Sequence, residues 1–179
     1  MNRPYNLDSA IRKIPDFPKP GILFYDITSI LTNPKAFRYC IDAMAEIYRD
    51  SPVDAVACIE ARGFLFAAPF AERLGLPLVL VRKKGKLPGK VIEKTFTLEY
   101  GTDTIQVHED DLQAGKHYLI VDDLIATGGT VKAVCDIITE AGASVHEVFC
   151  VIGLPFLPYR DLLSSYTVRT LIEYDSEHM

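Results

Sequence analysis

Asp122 and Asp123 stand just ahead of a run of small residues, Ala126-Thr127-Gly128-Gly129-Thr130. Before the acids, Tyr118 to Val121 is a short apolar stretch with a β-branched pair, the pattern of a buried strand. After the small residues, Val131, Val134, Cys135 and Ile138 recur at helical spacing until Gly142 closes the element. The order predicts strand, acidic pair, glycine loop, helix. A glycine loop that opens a helix offers backbone N–H groups and the positive end of the helix dipole to one phosphate. No Gly-Lys-[Ser/Thr] follows, and the pattern is not Gly-x-Gly-x-x-Gly. Two carboxylates beside a polyphosphate would repel it unless they faced a metal ion or neutral donors. Vicinal ribose hydroxyls are such donors. The expectation is a 5-phosphorylated ribose, its phosphate on residues 126–130 and its hydroxyls on Asp122 and Asp123. The plainer alternative is an ordinary βα turn with Thr127 or Thr130 as helix cap.

A second unit of the same kind lies upstream. Ala55 to Ile59 reads as a strand covered on both faces, and Glu60-Ala61-Arg62-Gly63 then leads into a helix from Phe64 to Arg73, ending near Gly75. An arginine in such a turn, with backbone N–H groups around it, suits a diphosphate; an ion pair with Glu60 is the alternative. After a third strand, Leu78 to Val81, come Arg82, Lys83, Lys84, Lys86 and Lys90, and Gly85, Pro88 and Gly89 mark the segment as an exposed loop. Arg82 and Lys83 lead Lys84 as counter-charges to a diphosphate. Thr95 to Tyr100 alternates, with Thr95, Thr97 and Glu99 on its polar side, and Gly101 turns the chain toward Thr104 to Val107 as a hairpin.

The elements that must hold these residues follow from the rest of the chain. Leu7 to Ile14 reads as a short helix; Pro15, Pro18 and Pro20 then forbid one, and Ile22-Leu23-Phe24 is too apolar for idle surface. Asn33-Pro34 caps a helix whose stripe is Phe37, Cys40, Ile41, Met44, Ile47 and Tyr48. Val145 to Leu154 is a strand broken by Pro155 and Pro158, and Tyr166 to Ile172 could form an edge strand. Strands alternating with helices predict an α/β fold, a mostly parallel twisted sheet with helices on both faces and ligands at the strand carboxyl ends. With 179 residues, 49% hydrophobic and 24% charged, the chain suits one globular domain: arm and hood to about residue 33, core to about 154, C-terminal segment beyond. A net charge of −5 argues against a nucleic-acid surface, and no apolar run reaches membrane-spanning length. The start lacks a signal peptide's apolar core, and Cys40, Cys58, Cys135 and Cys150 have no metal-type spacing, so buried reduced thiols and a cytoplasmic location are expected.

Val121-Asp122-Asp123-Leu124-Ile125-Ala126-Thr127-Gly128-Gly129-Thr130 resembles the phosphoribosyl-diphosphate (PRPP) signature of the type I phosphoribosyltransferases. Three further stretches are similar to the adenine-specific members in the same order: Pro15 to Phe24, Glu60 to Phe66, and Arg82 to Pro88 with Leu98-Glu99-Tyr100-Gly101. The resemblance implies the type I fold with a small N-terminal hood, and purine salvage from adenine and PRPP to AMP and diphosphate. It implies Mg²⁺ bound mainly through PRPP with no direct protein ligand, and a homodimer. Leu23, Phe24, Tyr25 and Leu124 fall at the adenine site, with Phe24 stacking on the base; Tyr25 stands where many members carry Arg. Arg62, Arg82, Lys83 and Lys86 fall on the diphosphate. Glu99 is the titratable group left to move a proton at N7 of the base, with Tyr100 helping to close the site and Arg62 also catalytic. A related enzyme for hypoxanthine or guanine, and a nucleotide-binding regulator without transferase activity, are the competing readings.

Overall fold

The computed structural model describes residues 5–97 and 101–176. Its centre is Ala55–Ile59 (β3), buried along its whole length, as a strand made only of Ala, Val, Cys and Ile has to be. It pairs in parallel with Leu78–Lys83 (β4) on one side and His117–Ile125 (β7) on the other. β7 pairs in parallel with Ser144–Gly153 (β8), and β8 with Val168–Glu173 (β9). On the other edge a hairpin of Val91–Thr97 (β5) and Thr102–His108 (β6) adds antiparallel to β4. The seven-stranded order is β5-β6-β4-β3-β7-β8-β9.

Helices cover both faces, each on its own apolar cluster. Pro34–Tyr48 (α2) begins with the expected cap, Asn33 Oδ1 accepting from the N–H groups of Lys35 and Ala36, both at 3.2 Å. It packs with Gly63–Leu74 (α3) against Val56, Cys58, Leu119, Val121 and Phe149. Gly129–Glu140 (α4) covers the opposite face, over Ala57, Ile120 and Cys150. That alternation along each strand is what period-two side-chain geometry requires of a sheet buried on both sides. The four cysteines are free and buried as expected.

The N-terminus departs from expectation. Only Leu7–Ala10 is helical, as a 3-10 turn; Arg12–Pro15 (β1) pairs antiparallel with Leu23–Asp26 (β2) in a separate two-stranded hood. Pro15 disfavours helical backbone at Ile14, and Ile14 lies opposite Phe24 instead. A one-turn helix, Thr28–Leu31 (α1), follows the hood, and Tyr159–Leu162 (α5) precedes β9. Among the described residues, no helix is long and apolar enough to cross a membrane.

Candidate active site

β7 does not stop before the acids. It continues through Asp122 and Asp123 to Ile125, paired with β8 as far as Gly153, so the carboxylates project from a fixed strand rather than a loop. Asp123 is buried, and its Oδ2 accepts from Arg62 Nε at 2.5 Å. Asp122 accepts the Asp123 backbone N–H at 2.8 Å. Burial, and next the charge of Asp123, hold the Asp122 carboxyl well above the usual carboxylate range. Gly63, first residue of α3, brings that helix against β7 here: an added Cβ would lie 2.9 Å from Asp122 Oδ1.

The loop after β7 closes on Gly128, which has φ 83° and serves as N-cap of α4 with no side-chain hydrogen bond. Neither Thr127 nor Thr130 caps the helix, so the small residues are not there for capping. Gly128 rests on Tyr159, where a Cβ would lie 2.9 Å from Tyr159 Cβ. The loop from Ala126 to Thr130 lines a recess of about 230 Å³ with Arg62 and Asp122, beside the N–H groups that open α4.

A larger cleft of about 470 Å³ lies next to it, lined by Glu60, Ala61, Arg62, Lys83, Asp103, Asp122, Asp123 and Thr130 among others. The Glu60–Ala61 peptide in its wall is cis. Its cations are held by acids from neighbouring elements. Arg62 pairs with Asp123, and Lys83 Nζ with Asp103 Oδ2 at 2.9 Å. That contact is the main cause raising the Lys83 pKa and lowering that of Asp103. Glu60 does not pair with Arg62; it accepts from Arg82 Nε at 2.5 Å, and the Arg82 guanidinium lies 5.8 Å from the Phe64 ring centre. Arg82 and the exposed Lys86 line neither space. Asp123, Asp103 and Glu60 are paired with Arg62, Lys83 and Arg82, and among the described residues no group of three or more His, Cys, Asp or Glu could hold a metal ion by itself.

The third space is an apolar slot of about 230 Å³ between the hood and the end of the sheet. Ile22, Leu23, Phe24 and Tyr25 form one wall, Leu124 and Ala126 the floor, and Leu154, Phe156 and Leu157 the far wall, with Arg62 at its border. The Tyr25 ring is engaged elsewhere, stacked on Tyr174. Phe24 meets Phe17 edge-on, with centroids 5.0 Å apart. Leu154, Phe156 and Leu157 did not emerge from the sequence, although an apolar run between Pro155 and Pro158 carries the same signal as Ile22-Leu23-Phe24. Glu99 and Tyr100 lie outside the described residues; β5 ends at Thr97 and β6 begins at Thr102.

Arg62 and Leu124 border the slot and both other spaces, so the three form one continuous site. A family model of the phosphoribosyl transferase domain matches residues 26–172. The adenine phosphoribosyltransferase of Treponema denticola is 58% identical over 171 residues, 96% of this chain and 90% of that protein. The crystal structure of the enzyme from Thermoanaerobacter pseudethanolicus superposes with a TM-score of 0.89 at 44% identity, covering 94% of this chain and 98% of that one. The Saccharomyces cerevisiae enzyme, complexed with an imino-altritol bisphosphate and adenine, gives 0.86 at 38% identity over 93% and 96%. By sequence and by fold, the chain belongs to the phosphoribosyltransferase family, among the adenine phosphoribosyltransferases.

Proposed function

We propose that this chain carries out its relatives' reaction, moving the 5-phosphoribosyl group of PRPP to adenine with release of diphosphate, through the residue roles that follow. The observation that carries the reading is the continuity of three chemically distinct spaces around Arg62 and Leu124. The 5-phosphate sits on Ala126 to Thr130, where the N–H groups opening α4 meet it. Asp122 and Asp123 accept from the ribose hydroxyls. The base enters the apolar slot, against Phe24 and over Leu124, and the diphosphate occupies the cleft beside Arg62 and Lys83. With the base in the slot and the diphosphate in the cleft, acceptor and leaving group meet the ribose carbon from opposite sides, as displacement at one carbon requires.

The C1–O bond to diphosphate breaks with its electron pair leaving on oxygen, and a C1–N9 bond forms as positive charge builds on the ribose ring. Arg62 and Lys83 stabilise the departing anion. Glu99 takes the proton that the imidazole part of adenine must release, and Tyr100 helps exclude water. Charge neutralisation of the leaving group beyond that from Arg62 and Lys83 would be supplied by Mg²⁺ entering with PRPP, with no protein side chain assigned to the ion. Arg82, near the end of β4, and Lys86, in the exposed segment after it, approach the diphosphate, and a second copy of the chain completes a homodimer, which solution mass would test.

Purified protein should form AMP and diphosphate from adenine, PRPP and Mg²⁺, and use hypoxanthine and guanine poorly. Equal rates with all three bases would overturn the adenine assignment; no product with any would favour a regulator that binds without transfer. Arg62→Ala and Lys83→Ala should impair PRPP use far more than AMP binding, because AMP carries no diphosphate. Equal losses for both ligands would move those cations to the 5-phosphate.

A further inference from the structure

The hood is fastened from behind by the end of the chain. Tyr25 is buried, and its ring lies on that of Tyr174 with centroids 3.8 Å apart and planes 14° from parallel. Its hydroxyl donates to the Ser176 carbonyl at 2.8 Å. Tyr174 donates from its own hydroxyl to Asp8 Oδ1 at 2.7 Å, and Asp8 pairs with Lys13 Nζ at 2.8 Å. The Lys13 ammonium lies 5.3 Å from the Tyr174 ring centre, and Lys13 is the partner of Tyr25 across the two hood strands. The contacts therefore close a circuit through the N-terminal turn, both hood strands and the C-terminal residues.

The same residue also reaches the opposite wall of the slot. The Tyr174 backbone N–H donates to the Gly153 carbonyl at 3.0 Å. Gly153 directly precedes Leu154, and with Phe156 and Leu157 that residue forms the far wall. Tyr174 thus ties the hood to the end of β8. A hood of two four-residue strands has little stability of its own, so its distance from the sheet depends on what it packs against. Tyr25 lines the slot, while its ring and hydroxyl are engaged by Tyr174 and Ser176.

We propose that Tyr174 is a positioning residue for the base: by joining the hood to the end of β8 it fixes the width of the slot and so sets affinity for the planar acceptor without touching it. The proposal rests on the reading of that slot as the base site. A tail that merely covers apolar surface would contribute to overall stability and leave base affinity alone.

The test uses the full chain, with Michaelis constants for adenine and PRPP, turnover and thermal midpoint measured for Tyr174→Ala, Tyr174→Phe and Phe24→Ala. Tyr174→Ala should raise the adenine constant about tenfold, because the slot must then be ordered by the ligand. The PRPP constant should stay within about twofold, its contacts lying on other elements. Tyr174→Phe keeps the stack and should recover most of the loss. Phe24→Ala reports on the slot itself. If Phe24→Ala raises the adenine constant while Tyr174→Ala leaves it unchanged, the positioning role is overturned; if neither changes it, the slot is not the base site and the proposal fails with that reading. An equal rise in both constants for Tyr174→Ala would mean general loosening and would also refute it. Should Tyr174→Ala not fold, Tyr25→Phe removes only the hydrogen bond to Ser176, and it should raise the adenine constant alone by about threefold; a wild-type value would count against the proposal.

Discussion

Gly63 and Asp122 meet so closely that a Cβ on Gly63 would stand 2.9 Å from the carboxylate oxygen and 3.1 Å from both Asp122 Cα and the Val121 carbonyl. Two of those three atoms belong to the backbone of a central strand and cannot yield as a flexible side chain would. Gly63→Ala should therefore cost about 1–3 kcal/mol in urea denaturation and weaken PRPP binding through the displaced acid; unchanged stability would show that α3 moves freely over β7. Asp122 carries a second consequence. Its folded-state pKa lies above its unfolded value, so between the two the folded chain holds the proton more tightly. Its contribution to stability is then fully present below the unfolded carboxylate range, near pH ~3.9, and is lost as pH rises through the folded value. Asp122→Asn keeps an acceptor for the Asp123 N–H and removes the buried charge. The unliganded variant should lose less stability with rising pH than the wild type while binding PRPP more weakly. Parallel curves of thermal midpoint against pH would overturn this account.

The element that matters most is β7 with the loop and helix after it. Gly128 holds a left-handed conformation and has Tyr159 directly beneath it. Gly128→Ala should thus be strained on two counts and weaken both AMP and PRPP, which share the 5-phosphate; loss of PRPP binding alone would relocate the loop's role. The pattern of glycines, acids and an amphipathic helix made this unit legible, as it did β3 and α2, because each is decided by local periodicity. What escaped the sequence was set by distant partners. β7 extends through Asp122 and Asp123 because β8 continues to pair with it, which no alternation around two acids reveals. Leu7 to Ile14 has helical spacing, but Arg12–Pro15 finds a strand partner in Leu23–Asp26. Tyr159 sits in a proline-broken segment with no period, and only the fold brings it under the loop after β7. Charge density marks Arg82 as a candidate cation, but its pairing with Glu60 depends on a residue 22 positions away that the fold brings alongside.

At the scale of the whole molecule the puzzle is charge. A chain of net charge −5 must bind a diphosphate, in a cleft where Glu60, Asp103, Asp122 and Asp123 accompany Arg62 and Lys83. Asp123 on β7 holds Arg62 in place, and Asp103 on β6 holds Lys83. Asp123 has a proposed ribose role besides its pair with Arg62, so removing it would confuse two effects. Asp103 is separable: it lies on the edge hairpin, pairs with Lys83, and also accepts the Thr104 N–H at 2.8 Å. An incoming diphosphate has to compete with it for Lys83. The Lys83 side chain is 59% exposed, so the pair is worth only about 0–1 kcal/mol. Asp103→Asn should accordingly tighten diphosphate inhibition and lower the PRPP Michaelis constant, by no more than about fivefold. AMP binding should not change, and the gain should shrink as salt rises, since the competition is between exposed charges. In a Lys83→Ala background the same substitution should have almost no effect on diphosphate affinity. Weaker diphosphate binding in Asp103→Asn, or an undiminished gain without Lys83, would show that Asp103 orders the hairpin instead of restraining the cation.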